Sequence, residues 1–181
     1  MIGDAIDADG LLAAASQLRP DVILVGMTVL AARWSKAVRW TSNGPAVPLV
    51  AALPELHDGY LAVAAWAEAK GYVLEDASPS ELTDALGSAA AGQSFCRNGD
   101  RQRALRWEEE VGRPWRSLTD REREVFHLLV RGMGNPAIAD ALTLAPKTVE
   151  HHVGRILGKL GLASRAMVAS WYYDQFPAIL R

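Results

Sequence analysis

The sequence predicts two folds in one chain. An α/β domain built on a parallel sheet comes first, and an all-α domain of four short helices containing a helix-turn-helix follows. Three observations carry this reading. Short apolar, β-branched runs alternate with amphipathic stretches up to about residue 91 and then stop. From Leu118 onward every apolar stretch has helical period and is bounded by helix caps. The charge divides the same way. Residues 1–96 hold 5 Lys/Arg against 11 Asp/Glu, net −6, and residues 97–181 hold 14 against 10, net +4. An acidic half joined to a basic half suggests two domains, the basic one facing a polyanion.

Composition narrows the class. Half of the 181 residues are apolar, enough to bury a core. Cys96 is the single cysteine, which excludes an internal disulfide framework and suits a reducing cytoplasm. No apolar run approaches ~18 residues, so no membrane span is expected. Met1 is followed by no basic and apolar leader pattern, so no secretory signal is expected.

In the first half the strand candidates are Ile2–Ile6, Val22–Val25, Pro48–Ala52 and Gly71–Leu74. The helix candidates are Asp9–Leu18, Ala31–Thr41, His57–Lys70 and Pro79–Ala91. This alternation argues for βα units on a parallel sheet. The periodicity fades between Gln93 and Ser117, and the stretch reads as a linker with a helical turn or two around Ala104–Glu110.

The second half begins with a capping box, Thr119 with Glu122 three residues on. Val125, Phe126, Leu129 and Val130 then give an apolar stripe that Gly132 or Gly134 ends. Asn135 reads as the cap of a short second helix with Pro136 at its first position. A tight turn leads to PKTVEHHVGRILGKLG, which Gly161 terminates, and Ser164 caps a last helix reaching about Gln175.

The third of these helices has two faces. Val149, Val153, Ile156, Leu157 and Leu160 recur at core spacing, and Lys147, His151, Gly154, Arg155 and Gly158 fall opposite. A Gly in an exposed helix interior costs ~1 kcal/mol relative to Ala, so two on one face want a cause. A phosphate backbone or groove wall approaching closely supplies one.

Residues 118–165 resemble the DNA-binding domain of LuxR/NarL-type transcription regulators. The resemblance rests on L-T-x-R-E at 118–122, N-x-x-I-A at 135–139, K-T-V-E-x-H-V at 147–153 and I-L-x-K-L-G-L-x-S-R at 156–165. It implies a four-helix bundle whose third helix enters the major groove of double-stranded DNA. The implied DNA contacts are Lys147, Thr148, Glu150, His151, Arg155 and Lys159. Two positions depart from the pattern: Ala145 stands where a capping Ser is frequent, and Gly154 where a basic residue can contact bases.

With that family in view, the first half resembles its usual partner, a phosphoryl-accepting receiver domain with a flavodoxin-like sheet. LRPDVILVGM resembles the third receiver strand, whose last position ordinarily holds the acceptor aspartate. Here it is Gly26. GYVLED resembles the fifth strand, with Glu75 at the position of the receiver lysine. No Ser or Thr occurs from Pro45 to Ala77 to serve as the switch hydroxyl. The receiver's first strand and its acidic pair are expected to be missing, because Met1 already lies at the second strand; the alternative is that the protein begins upstream of this Met1. Their absence leaves Ile2–Ile6 without its usual neighbour, to pair elsewhere, stay loose or pair with another chain.

The domain expectation is therefore a degenerate receiver-like domain at 1–93, a linker at 94–116 and a helix-turn-helix domain at 117–181. No residue set suggests catalysis, and neither a metal nor a cofactor is expected. His151 and His152 are adjacent and point to different sides of a helix. The six tryptophans suit core or interface, or the lining of a small-molecule effector pocket. The function expected is a sequence-specific DNA-binding transcription regulator, an atypical response regulator not controlled by aspartyl phosphorylation, working as a homodimer. Trp171, Tyr172 and the 79–91 helix are the candidate dimer surfaces. The alternative is an interaction module that heterodimerises with a related regulator and binds DNA weakly or not at all.

Overall fold

The computed structural model describes residues 2–35, 47–94 and 96–180. The chain divides into two compact units, one of residues 1–107 and one beginning at Glu108.

The first unit is a three-stranded parallel sheet with helices. Its elements are α1 (Ala8–Leu18), β1 (Ile23–Gly26), α2 (Met27–Ser35), β2 (Leu49–Leu53), α3 (Asp58–Trp66), β3 (Gly71–Leu74), α4 (Pro79–Ala90) and α5 (Asp100–Trp107). The strand order is β1-β2-β3, with Ile23 beside Leu49 and Val50 beside Gly71. β2 lies in the middle, and Leu49, Val50, Ala51 and Leu53 are all buried, as a strand covered on both faces requires. Ala85 and Ala89 of α4 pack at 0 % exposure against Val50 and Val73.

Several expectations need correction. Ile2–Ile6 forms no strand; residues 2–5 are irregular, and Ile2 and Ile6 stay exposed. An extended segment needs a neighbour to satisfy its backbone, and among the described residues no strand pairs with it. α2 starts at Met27, directly after Gly26, four residues before the expected Ala31, because Met27, Leu30 and Ala31 already supply a buried stripe. The expected end of that helix lies outside the described residues. The Ala-rich face of α4, expected as a dimer surface, is the face that packs on the sheet.

The stretch expected as a linker is largely helix. α5 packs against α3. Tyr72 donates to Asp100 at 2.5 Å, and Arg103 bridges Asp100 at 3.2 Å and Asp58 at 2.7 Å. Burial and the adjacent Asp100 push the Tyr72 phenol up to about 12. After α5 come a π-helical segment, Glu108–Gly112, and a short α6 (Arg113–Arg116). The apolar signal there is sparse, but its few members are buried: Ala104, Trp107, Val111 and Trp115.

The second unit holds α7 (Asp120–Val130), α8 (Asn135–Leu142), α9 (Pro146–Leu160) and α10 (Met167–Gln175). Thr119 and Glu122 form the expected capping box. α8 is capped by Gly134 rather than Asn135, and α10 by Ala166 rather than Ser164. The core joins Val125, Phe126, Ile138, Val149, Ile156 and Phe176, each at 0 % exposure. Trp115 enters it from α6, with ring centroids 5.0 Å from Phe126 and 5.1 Å from Phe176. Tyr172, expected on a dimer surface, is buried in this aromatic cluster, and Tyr173 is the exposed neighbour.

Candidate nucleic-acid interface

α9 is the helix that presents the candidate site. Pro146 starts it without a side-chain cap from Ala145, and Gly161 ends it with φ +67°. Val149, Ile156 and Leu160 are buried, which fixes the helix rotation. The opposite face is therefore outward by necessity. Lys147, Thr148, Glu150, His151, Gly154 and Arg155 line one shallow concavity on it.

The charges on this face are loosely held. Lys147 Nζ lies 2.8 Å from Glu150 Oε2, with the two side chains 86 % and 60 % exposed. An exposed pair of this kind is worth ~0–1 kcal/mol, so an arriving phosphate competes with it easily. Arg155 is exposed and makes no ion pair among the described residues. His151 is exposed, and His152 is half-buried with Nδ1 unpartnered.

The two glycines have no internal cause. A Cβ added at Gly154 or at Gly158 would meet nothing within 4 Å. No packing within the chain demands the missing side chains, so the demand, if any, comes from outside.

Lys159 departs from the group it was expected to join. Its Nζ lies 2.6 Å from Glu122 Oε2 and 2.7 Å from the Ser117 carbonyl oxygen. It faces the start of α7, clamping α9 to the capping box. Two other motif residues bond internally as well. Arg121 donates to the Leu142 carbonyl at 2.6 Å, closing the end of α8. Arg165 donates to Asn135 Oδ1 at 3.0 Å and to the Met133 carbonyl. The sequence showed these residues as part of a pattern, and only the geometry shows that they hold the helices together.

In the first unit, Gly26 closes β1 and is exposed, and a Cβ there would meet nothing within 4 Å. Glu75 is exposed one residue past β3. Among the described residues, no group of three or more His, Cys, Asp or Glu is placed to hold a metal, and no helix is long and apolar enough to cross a membrane.

Residues 116–172 match the model of the bacterial regulatory proteins of the luxR family. The uncharacterized transcriptional regulatory protein YxjL of Bacillus subtilis is 31 % identical over 173 residues, covering 90 % of this chain and 78 % of that one. The chain belongs to the luxR family of bacterial regulatory proteins. This luxR-family chain is also 28 % identical over 182 residues to the nitrate/nitrite response regulator NarL of Escherichia coli, covering 97 % of itself and 83 % of that protein. The DNA-binding transcriptional activator DevR/DosR of Mycobacterium tuberculosis is 40 % identical over 106 residues. That match spans 57 % of this chain and about half of the activator, 49 %.

Proposed function

We propose that this luxR-family protein is a sequence-specific DNA-binding transcription regulator whose control does not run through aspartyl phosphorylation. The observation that carries the first part is the outer face of α9. There Lys147, Thr148, His151 and Arg155 stand exposed around a glycine, with the weakly paired Glu150 among them. A helix lying in the major groove needs cations for phosphate, short polar groups for base edges, and room for close approach. Lys147 and Arg155 serve phosphates in this reading, and Glu150, His151 and Thr148 read base edges. Lys159 is given a structural role instead, since its ammonium is already engaged. DevR/DosR, a relative, is described as a DNA-binding transcriptional activator, which supports the same assignment.

The second part rests on the first unit. Gly26 offers no atom to accept a phosphoryl group at the end of β1, and Glu75 places a negative charge where a receiver needs a positive one. Pairing of two copies on adjacent half-sites supplies the affinity that one small domain lacks.

The test is a titration of fluorescent duplex DNA by anisotropy at several salt concentrations. Binding whose affinity falls steeply with salt, with no change on adding acetyl phosphate and Mg²⁺, supports the reading. Binding that appears only after acetyl phosphate treatment overturns its second part, and salt-independent or absent binding overturns its first.

A further inference from the structure

Glycine at 154 leaves a gap in the outer face of α9. It lies one helical turn beyond Glu150 and His151, so the three positions share a face, with 150 and 154 about 6 Å apart along the helix. Nothing in the chain fills the gap. Gly154 is exposed, and a Cβ there would meet no atom within 4 Å. Lys147 Nζ donates to Glu150 Oε2 at 2.8 Å, which draws that carboxylate towards the start of the helix and away from position 154. Glu150, His151 and Arg155 line the concavity around it, and Gly158, a turn further on, does not.

With Glu150 and His151 against base edges, position 154 is against one as well. What a glycine can receive there is limited, since it offers no side-chain donor or acceptor. An amino group, a keto oxygen or a ring nitrogen pressed against it loses water and gains no partner, at a cost. A phosphate is repelled by the Glu150 carboxylate one turn away. The C5 methyl group of a pyrimidine needs room and no partner, and it is the apolar feature that a base shows in the major groove.

We propose that the gap at Gly154 takes a pyrimidine 5-methyl group, that of thymine or of 5-methylcytosine, and that Gly154 thereby sets the preference at one base pair of the DNA site. This specificity deepens the DNA-binding reading and rests on α9 lying in the major groove. A position without a side chain then reads a base by shape, and His151 and Arg155 wall the space that the methyl enters. Any side chain at 154 occupies that space itself.

The experiment titrates the full chain with the duplex it selects from a random library, each thymine replaced in turn by uracil and each cytosine in turn by 5-methylcytosine. Uracil differs from thymine only in lacking the methyl group. The expected result is a position where removing a methyl from thymine weakens binding about fourfold, or adding one to cytosine strengthens it about fourfold, the worth of one buried methyl. The first outcome identifies thymine as the base read, and the second 5-methylcytosine. Gly154→Ala, whose own methyl takes the space, abolishes that difference with an unchanged circular dichroism spectrum, and Gly158→Ala keeps it. A site with no methyl-sensitive position, or one whose every methyl effect survives Gly154→Ala, overturns the proposal while the selected motif still supports the DNA-binding reading. A library that stays random overturns both.

Discussion

Replacing Lys159 with Met removes a cation from a carboxylate that water does not reach. Glu122 is 1 % exposed, and its Oε2 accepts from Lys159 Nζ at 2.6 Å and from the Thr119 N–H at 2.7 Å. Burial pushes this carboxyl up, but the hydrogen bonds from Lys159 and Thr119 outweigh it and hold the group at about 2 against its ordinary 4.5. At 1.36 kcal/mol per unit, that difference is roughly 3 kcal/mol of preference for the charged form. Lys159 supplies a large share of it, and Met keeps the aliphatic length. Lys159→Met is expected to cost the second unit roughly 2–3 kcal/mol at pH 7, where Lys147→Met, breaking an exposed pair, costs under about 1 kcal/mol. The sign with pH follows from a folded value below the unfolded one. The contribution is complete above about 4.5 and is lost as pH falls through about 2. The gap between wild type and Lys159→Met therefore narrows below pH 4.5. Native-state amide exchange in α7 and α9 reads this unit by itself. A loss under about 0.5 kcal/mol at pH 7, or a gap unchanged between pH 6 and pH 3, refutes the reasoning.

Three further outcomes are expected. Gly154→Ala raises helix stability by ~0.5–1 kcal/mol, because the added methyl meets nothing, yet weakens DNA binding if the duplex approaches that face; melting and anisotropy titration measure the two effects. Arg155→Ala weakens binding to all sequences alike and lowers the salt slope by about one unit, whereas Glu150→Ala spares non-specific affinity and relaxes preference at one base pair by roughly 1–3 kcal/mol, as titrations against a varied-site library distinguish. Acetyl phosphate with Mg²⁺ leaves the intact mass unchanged, since Gly26 has no carboxylate to acylate.

Periodicity made α7 to α9 legible because each carries its own caps and its own apolar stripe. Thr119 with Glu122 and Gly161 announce boundaries that local hydrogen bonds enforce. β1, β2 and β3 were legible as short β-branched runs. Ile2–Ile6 offered isoleucine at both ends but a Gly and an Asp between them, and it pairs with no strand among the described residues; strand formation depends on pairing that composition does not encode. α5 was expected only as a helical turn or two around Ala104–Glu110, and α6 only as linker, because few of their residues are apolar. What fixes α5 is an Asp100–Arg103–Asp58 bridge assembled from residues 42 and 45 positions apart in part, with Tyr72 closing it. On the candidate site, Lys147, His151 and Arg155 share one face as spacing predicts, and Thr148 and Glu150, which only the family resemblance implied, line it beside them. Lys159 lies off that face, one turn further along, where α9 meets the start of α7. A lysine's spacing gives its side of the helix only coarsely, and the buried Glu122 that captures it is 37 residues away.

The central claim is that the outer face of α9 reads DNA sequence, and selection from random duplex DNA tests it most directly. Purified full-length protein is incubated with a random library, bound DNA is recovered and sequenced over several rounds, and the selected site is retested with Glu150→Ala and His151→Ala. The account predicts a reproducible short motif whose base preference changes at separate positions in the two variants. A library that stays random after selection, or a motif that neither substitution alters, contradicts it, and the first of those results favours a protein that works by pairing with a related regulator.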